Sequence, residues 1–171
     1  EFVASFESSE GYIMDYLVDE VLSLQSAAVQ EFLLKTSVLD RLYGPLCEAV
    51  TGLAGPINDG QSYLERLEQG NLFVIALDSQ RQWYRYHHLF QLLLQNRLER
   101  TYDREQIAGL HRRASAWFAD NGFVEDAITH ALAAGDEATA VRVIVTHRYE
   151  AMNRERWQQI DRWLRMLPPQ W

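Results

Sequence analysis

Ile13, Tyr16, Leu17, Val21 and Leu24 fall three and four positions apart, a spacing that predicts an amphipathic helix over Tyr12–Leu24. Val29, Phe32 and Leu33 continue the stripe and predict a second helix over Val29–Thr36. Gly44-Pro45 interrupts the pattern, and Pro45 suits the first turn of a short helix, Leu46–Val50, that ends at Gly52. "GPINDG" reads as a loop. Ser62–Glu68, with Tyr63, Leu64 and Leu67 apolar, reads as another short helix stopped by Gly70.

The period then changes. Leu72–Leu77 is an unbroken apolar run rich in Val, Ile and Phe, bounded by turn signals, and predicts a strand. "DSQRQ" is a polar turn, and Trp83–Tyr86 is the return strand, so residues 72–86 form a β-hairpin. A helix follows at once, over His87–Arg100, with Leu89, Phe90, Leu93 and Leu94 expected to face a core. Helices followed by a hairpin make a winged-helix-like arrangement, with the departure that a helix follows the wing.

After Thr101 the chain turns to short helices separated by Gly-containing turns. Glu105–Ala119 closes on Asn121-Gly122, Val124–Ala134 places Ala127, Ile128, Ala131 and Leu132 on one side, and Asp136 caps the next helix. Ala138–Tyr149 and Arg156–Leu167 complete two helix pairs before Pro168-Pro169. Small alanines at packing positions and short turns are how helical-repeat arrays are built. The fold class expected is therefore mainly α: a winged-helix-like domain with one β-hairpin, then antiparallel helix pairs.

Composition narrows the function. The chain has 171 residues, 47% of them hydrophobic, enough for a real core. No stretch is apolar for the ~18 residues that a membrane span needs. "EFVASFESSE" has neither the basic nor the apolar region of a signal peptide, and Cys47 is the single cysteine, so no internal disulfide or Cys-based metal cluster is expected. These features point to a cytoplasmic protein. Residues 1–80 carry thirteen acidic and three basic side chains, whereas residues 81–115 carry three acidic and seven basic. The net charge of −8 speaks against a freestanding nucleic-acid binder, although the basic middle suits an anion or an acidic partner.

No phosphate loop is present and the only lysine is Lys35. There is no HExxH, GxSxG, paired-Cys or EF-hand motif, and no nucleophile–base pair, so no enzyme is expected. His111, His130 and His147 lie singly on predicted helices and read as surface or half-buried residues. His87 and His88 differ, because they stand at the first turn of a helix, beside its unpaired N–H groups and the positive end of its dipole. An imidazole there can donate a hydrogen bond to a phosphate oxygen; equally, one ring can pack and the other cap. Trp83, Tyr84 and Tyr86 read as hairpin core rather than a platform for stacking bases.

"FLLKTSVLDRLYGPLCEAVTG", "YLERLEQGNLFVIALD", "WYRYHHLFQLLLQNRL" and "LHRRASAWFADNGFVEDAITHALAAGD" together resemble the large MalT-like regulators of the LuxR superfamily. That resemblance, which covers nearly the whole chain, implies an excised middle of a multidomain STAND-class ATPase. Residues 1–22 resemble the end of its helical subdomain, residues 23–101 its winged-helix domain and residues 102–171 the entry to its tetratricopeptide-like (TPR-like) superhelix. The nucleotide-binding domain and the helix-turn-helix DNA reader would lie outside. The resemblance further implies that a winged-helix His contacts the β-phosphate of ADP. In related immune receptors this His is the centre of a Met-His-Asp motif. Laid on "YHHL", the centre falls on His87, with Tyr86 and His88 in the flanking positions. The partners so implied are the neighbouring nucleotide-binding domain, a second copy on activation, and an inducer or inhibitory protein at the helix pairs. Neither direct DNA binding by this segment nor membrane contact is expected.

Overall fold

The computed structural model describes Glu20, residues 22–52 and residues 59–169. Most of the helix expected over Tyr12–Leu24 and most of the segment 1–22 lie outside the described residues, as does most of the "GPINDG" loop. Among the described residues are eight helices and one small antiparallel sheet, a winged-helix domain followed by helices. The chain divides between Tyr102 and Asp103 into two compact units.

The first unit opens with α1, Ala27–Thr36, whose N-cap Ser26 accepts the N–H of Val29. Val29, Phe32 and Leu33 are buried as their spacing predicts, and Leu34 and Thr36 join them. α2, Gly44–Thr51, begins with Pro45 in its first turn and stops at Gly52, whose φ of 76° is a left-handed cap. α3, Gly60–Gln69, is capped by Asp59, which accepts the Ser62 N–H at 2.6 Å. The starts of α2 and α3 cross backbone to backbone. A Cβ on Gly60 would stand 2.2 Å from the Gly44 carbonyl oxygen, and the Glu48 carboxylate accepts the Gly60 N–H at 2.8 Å. The two glycines that read as punctuation are thus also the crossing point.

The sheet has a strand more than the expected hairpin. β1, Leu42–Tyr43, lies in the stretch that reads as a helix breaker; β2 is Val74–Ala76 and β3 is Trp83–Tyr86. β3 is central, in the order β1-β3-β2, with Leu42 opposite Tyr84 and Val74 opposite Tyr86. Two residues of β1 are too short for a period to show in sequence. β2 is also shorter than the apolar run Leu72–Leu77, because Phe73 takes a left-handed φ of 55° and breaks the strand before it begins. Asp78 organises the turn by accepting the N–H groups of Trp83 at 2.7 Å and Gln82 at 3.2 Å.

α4, His88–Thr101, leaves β3 directly and packs on α1. Its buried residues are Phe90, Leu94 and Leu98, whereas Leu89 is exposed and Leu93 is half-buried. The expected core face is therefore rotated: a single i, i+4, i+8 row suffices because Gln91 and Gln95 spend the adjacent row on hydrogen bonds. Their side chains donate to the carbonyls of Ser37 and Leu39 at the end of α1. Tyr86 and Thr36 share a buried hydroxyl–hydroxyl bond of 2.7 Å that ties β3 to the same helix.

The second unit packs consecutive helices α5 (Arg104–Asp120), α6 (Val124–Ala133), α7 (Glu137–Asn153) and α8 (Trp157–Met166). Asp103 and Gln106 form a reciprocal capping box at the start of α5. Ser115 donates to the Ala127 carbonyl while Phe118 meets Phe123 and His111 meets His130, pairings that make α5 and α6 antiparallel. Ala114, Ala127, Ala131 and Ala140 are buried, so backbones approach closely. Gly122 and Gly135 hold positive φ at the two turns, and Asp136 caps α7 through the Thr139 N–H, as expected.

Two Gly→Ala changes should therefore have opposite signs. Gly60→Ala meets a backbone oxygen that cannot move aside, and should cost about 1–3 kcal/mol. Gly109→Ala, inside α5 with only flexible Arg side-chain ends within reach, should stabilise by about 0.5–1 kcal/mol. Urea unfolding of the two variants measures both.

Candidate functional site at the strand-to-helix junction

β3 sorts its side chains by parity. Tyr84 and Tyr86 are buried, and Arg85 points outward opposite Ile75. Continuing the register, Trp83 lies across from Leu77 and His87 from Phe73, through the bonds Leu77 N–H to Trp83 O (2.8 Å) and His87 N–H to Phe73 O (2.7 Å). Phe73, Ile75 and Leu77 are 48%, 38% and 49% exposed, so the outward side of the hairpin is an apolar strip bordered by Arg85 and His87. Exposed apolar groups in a row are what interaction surfaces present. Trp83 stacks on Tyr43 at 4.9 Å and lies under the Arg41 guanidinium, while Tyr84 and Tyr86 are core residues, which fits hairpin core rather than a base-stacking platform.

His87 is the N-cap of α4, with φ −58° and ψ 132°, and His88 is its first residue; both are exposed. The His87 backbone is fully used. Its N–H goes to Phe73, and its carbonyl accepts the Gln91 N–H at 3.0 Å. Its imidazole makes no capping bond, and no acidic residue stands in the first turn of this 14-residue helix. No carboxylate of the helix's own first turn offsets the dipole there, a setting that favours an anion.

Among the described residues, the other chemistry-bearing side chains are placed differently. Cys47 is fully buried, and burial pushes its thiol well above the ordinary range, away from a thiolate nucleophile. Among the described residues, no group of three or more His, Cys, Asp or Glu is placed to hold a metal ion. No helix of the described residues is long and apolar enough to cross a membrane. In the second unit, α5, α6 and α7 line a groove of about 650 Å³, with Ala116 and Ala131 among its small residues and Arg112 and Arg142 among its charged ones.

One pair escaped the sequence. His111 and His130 read as solitary helical residues, yet their Nδ1 atoms lie 2.9 Å apart and His130 is buried, its ring stacked on Phe118 at 5.4 Å. The signal available was position: His130 follows Ala127 by three residues on the packed face of α6, whereas nothing local shows that α5 brings His111 to the same place. A 2.9 Å contact between two Nδ1 atoms requires one to carry a hydrogen and the other to accept it.

Residues 18–106 match the family of the MalT winged helix domain, and the chain belongs to that family. It is 38% identical over 144 residues, 84% of this chain and 12% of the relative, to the serine/threonine-protein kinase PknK of Mycobacterium tuberculosis. It is 35% identical over 157 residues, 92% of this chain and 17% of the relative, to the HTH-type transcriptional regulator MalT of Klebsiella pneumoniae. The MalT regulator of Cronobacter sakazakii is 33% identical over the same length. The chain thus spans less than a fifth of the length of these relatives.

The histidine pair sets a pH dependence. Burial first, then the adjacent His111, pushes His130 down to about 4, below the roughly 6.5 of a free imidazole. The unfolded chain then takes up a proton that the folded chain refuses. Unfolding free energy should hold steady above pH 6.5 and fall as pH drops from about 6.5 toward 4, by up to ~1.4 kcal/mol per unit. His130→Phe should flatten that slope in urea unfolding measured between pH 7.5 and 4.5; an unchanged slope would assign it to other groups.

Proposed function

We propose that this chain is an interdomain regulatory module of a larger, ATP-dependent, signal-responsive transcription activator of LuxR and STAND type, and that it holds the ADP-bound inactive state. The observation that carries this reading is the exposed His87 imidazole, unspent on capping, at the first turn of α4 and at the end of an exposed apolar strip. The uncompensated helix start fits an anion, and the strip fits a protein surface beside it. The partner is the neighbouring nucleotide-binding domain of the same polypeptide. His87 donates a hydrogen bond to the β-phosphate of ADP held there, and His88 lies next to it. Because the contact spans two domains, it exists in the closed state only.

The relatives support a control role over an output role. One is named as a kinase and two as HTH-type regulators, yet both kinds share this segment. What two different outputs have in common fits a switch better than either output. An activator of this kind works in the cytoplasm, carries its DNA reader elsewhere in the polypeptide, and self-associates when released. Residues 102–171, with their buried alanines and short turns, fit the start of a TPR-like array.

A second reading is favoured by the groove of about 650 Å³ on α5, α6 and α7. Here the helix pairs are a scaffold that captures an inducer or an inhibitory protein, and the hairpin domain joins them to the rest without sensing nucleotide.

The two readings part at His87→Ala. A charge-assisted hydrogen bond contributes roughly 1.5–3 kcal/mol, so its loss should shift the closed–open balance by roughly 10- to 100-fold. In the complete polypeptide, transcription should then proceed without signal or with a lowered inducer requirement, read from a reporter promoter. The 171-residue chain should lose little stability. If His87→Ala unfolds the chain and leaves the complete protein inducible as before, the residue packs and the switch reading is wrong.

A further inference from the structure

Phe73 holds a φ of 55°, in the left-handed region. Asn71, two residues earlier, does the same at 52°, but asparagine tolerates that region and a bulky aromatic residue does not. A strained conformation of this kind persists only where its surroundings over-determine it, and such residues collect at functional positions.

What surrounds Phe73 is the base of His87. The Phe73 carbonyl accepts the His87 N–H at 2.7 Å, and the Phe73 ring sits 5.0 Å from the ring of Phe90 in the first turn of α4. Phe90 in turn meets the edge of Tyr86 at 5.8 Å. His87 is thus held between two anchors that the same residue supplies, one on its backbone and one on the helix it begins.

Among the described helices, half are capped by a side chain and half are not. Ser26, Asp59, Asp103 and Asp136 all spend their side chains on the N–H three residues ahead. Tyr43, His87, Phe123 and Arg156 do not, and at His87 Phe73 adds a constraint from outside the helix, through its carbonyl and its ring. A glycine would adopt the same φ freely, but would neither restrict the backbone nor reach Phe90.

We propose that Phe73 is the positioning residue for His87: its left-handed backbone and its ring fix the strand-to-helix junction so that the imidazole leaves it in one direction, free for a ligand. This rests on the reading of His87 as the phosphate contact. The apolar strip gains a second meaning, because pressure on the exposed Phe73 ring would be transmitted through one hydrogen bond to the His87 backbone.

A double-mutant cycle tests it. ADP release is measured from the complete polypeptide for the parent protein, Phe73→Gly, His87→Ala and the two combined. His87→Ala should speed release roughly 10- to 100-fold, and Phe73→Gly roughly 2- to 10-fold. The combination should be no faster than His87→Ala alone, since a positioning residue has nothing to position once the imidazole is gone. A nucleotide-free readout accompanies it: in the 171-residue chain, the Hα–Hβ couplings of His87 should report one χ1 rotamer, and an average over several in Phe73→Gly. Phe73→Leu, which keeps bulk but loses the aromatic contact, serves if the glycine variant does not fold. Additive effects in the cycle, or unchanged couplings, overturn the positioning role alone. Unchanged ADP release in His87→Ala overturns the phosphate reading and this role with it.

Discussion

β3 is four residues long, and the first unit is organised around its register. Tyr84 and Tyr86 go inward, Trp83 and Arg85 outward, with β1 on one edge and β2 on the other. A slip of one residue would bury Arg85 without a partner and expose two tyrosines, a penalty that no other strand here could offset. The inward tyrosines reach separate anchors: Tyr86 shares a hydroxyl bond with Thr36 of α1 and an edge contact with Phe90 of α4. The outward residues end at His87. One alternation therefore decides both what the core contains and which face the junction presents.

The glycine crossing and the glutamine caps serve the same register. Gly44 and Gly60 bring the starts of α2 and α3 to backbone contact, and Gly44 follows directly on β1. Gln91 and Gln95 answer the carbonyls at the end of α1 from the side of α4, so the helix that leaves β3 is also the one that closes α1. Buried or half-buried carbonyls at a helix end need partners, and here they come from 52 to 58 residues away by chain and from a neighbouring helix in space. The burial of Tyr86 pushes its hydroxyl proton well above the ordinary tyrosine range, so the Thr36 bond stays neutral and insensitive to pH. The second unit differs in this respect, since burial lowers the pKa of His130, hydrogen-bonded to His111, to about 4.

The sequence alone was enough for the helices with clear periodicity and caps. α1, α2, α3 and the four helices of the second unit stand close to where spacing, Pro45, Gly52, Gly122 and Asp136 placed them. These are local signals: a cap and an i, i+4 stripe act within a turn or two of themselves. The hairpin and the His-His junction were legible for the same reason, because the switch from period two to period 3.6 happens within adjacent residues. The family resemblance read from the quoted phrases agrees with the MalT winged helix match over residues 18–106.

What only the tertiary structure decided is where groups far apart in the chain meet. β1 is two residues long and exists because β3 offers it an edge. The core face of α4 turned away from Leu89 because α1 demanded glutamines on the neighbouring row. Phe73 left the strand pattern because its carbonyl and ring are claimed by α4, a constraint with no trace in a run of apolar letters. His111 and His130 are bonded only because α5 and α6 are antiparallel, and no property of either segment separately fixes that contact. Period and capping are short-range and leave a mark in sequence; edge pairing, carbonyl satisfaction and imidazole contacts are settled by which surfaces the folded chain brings within 3 Å.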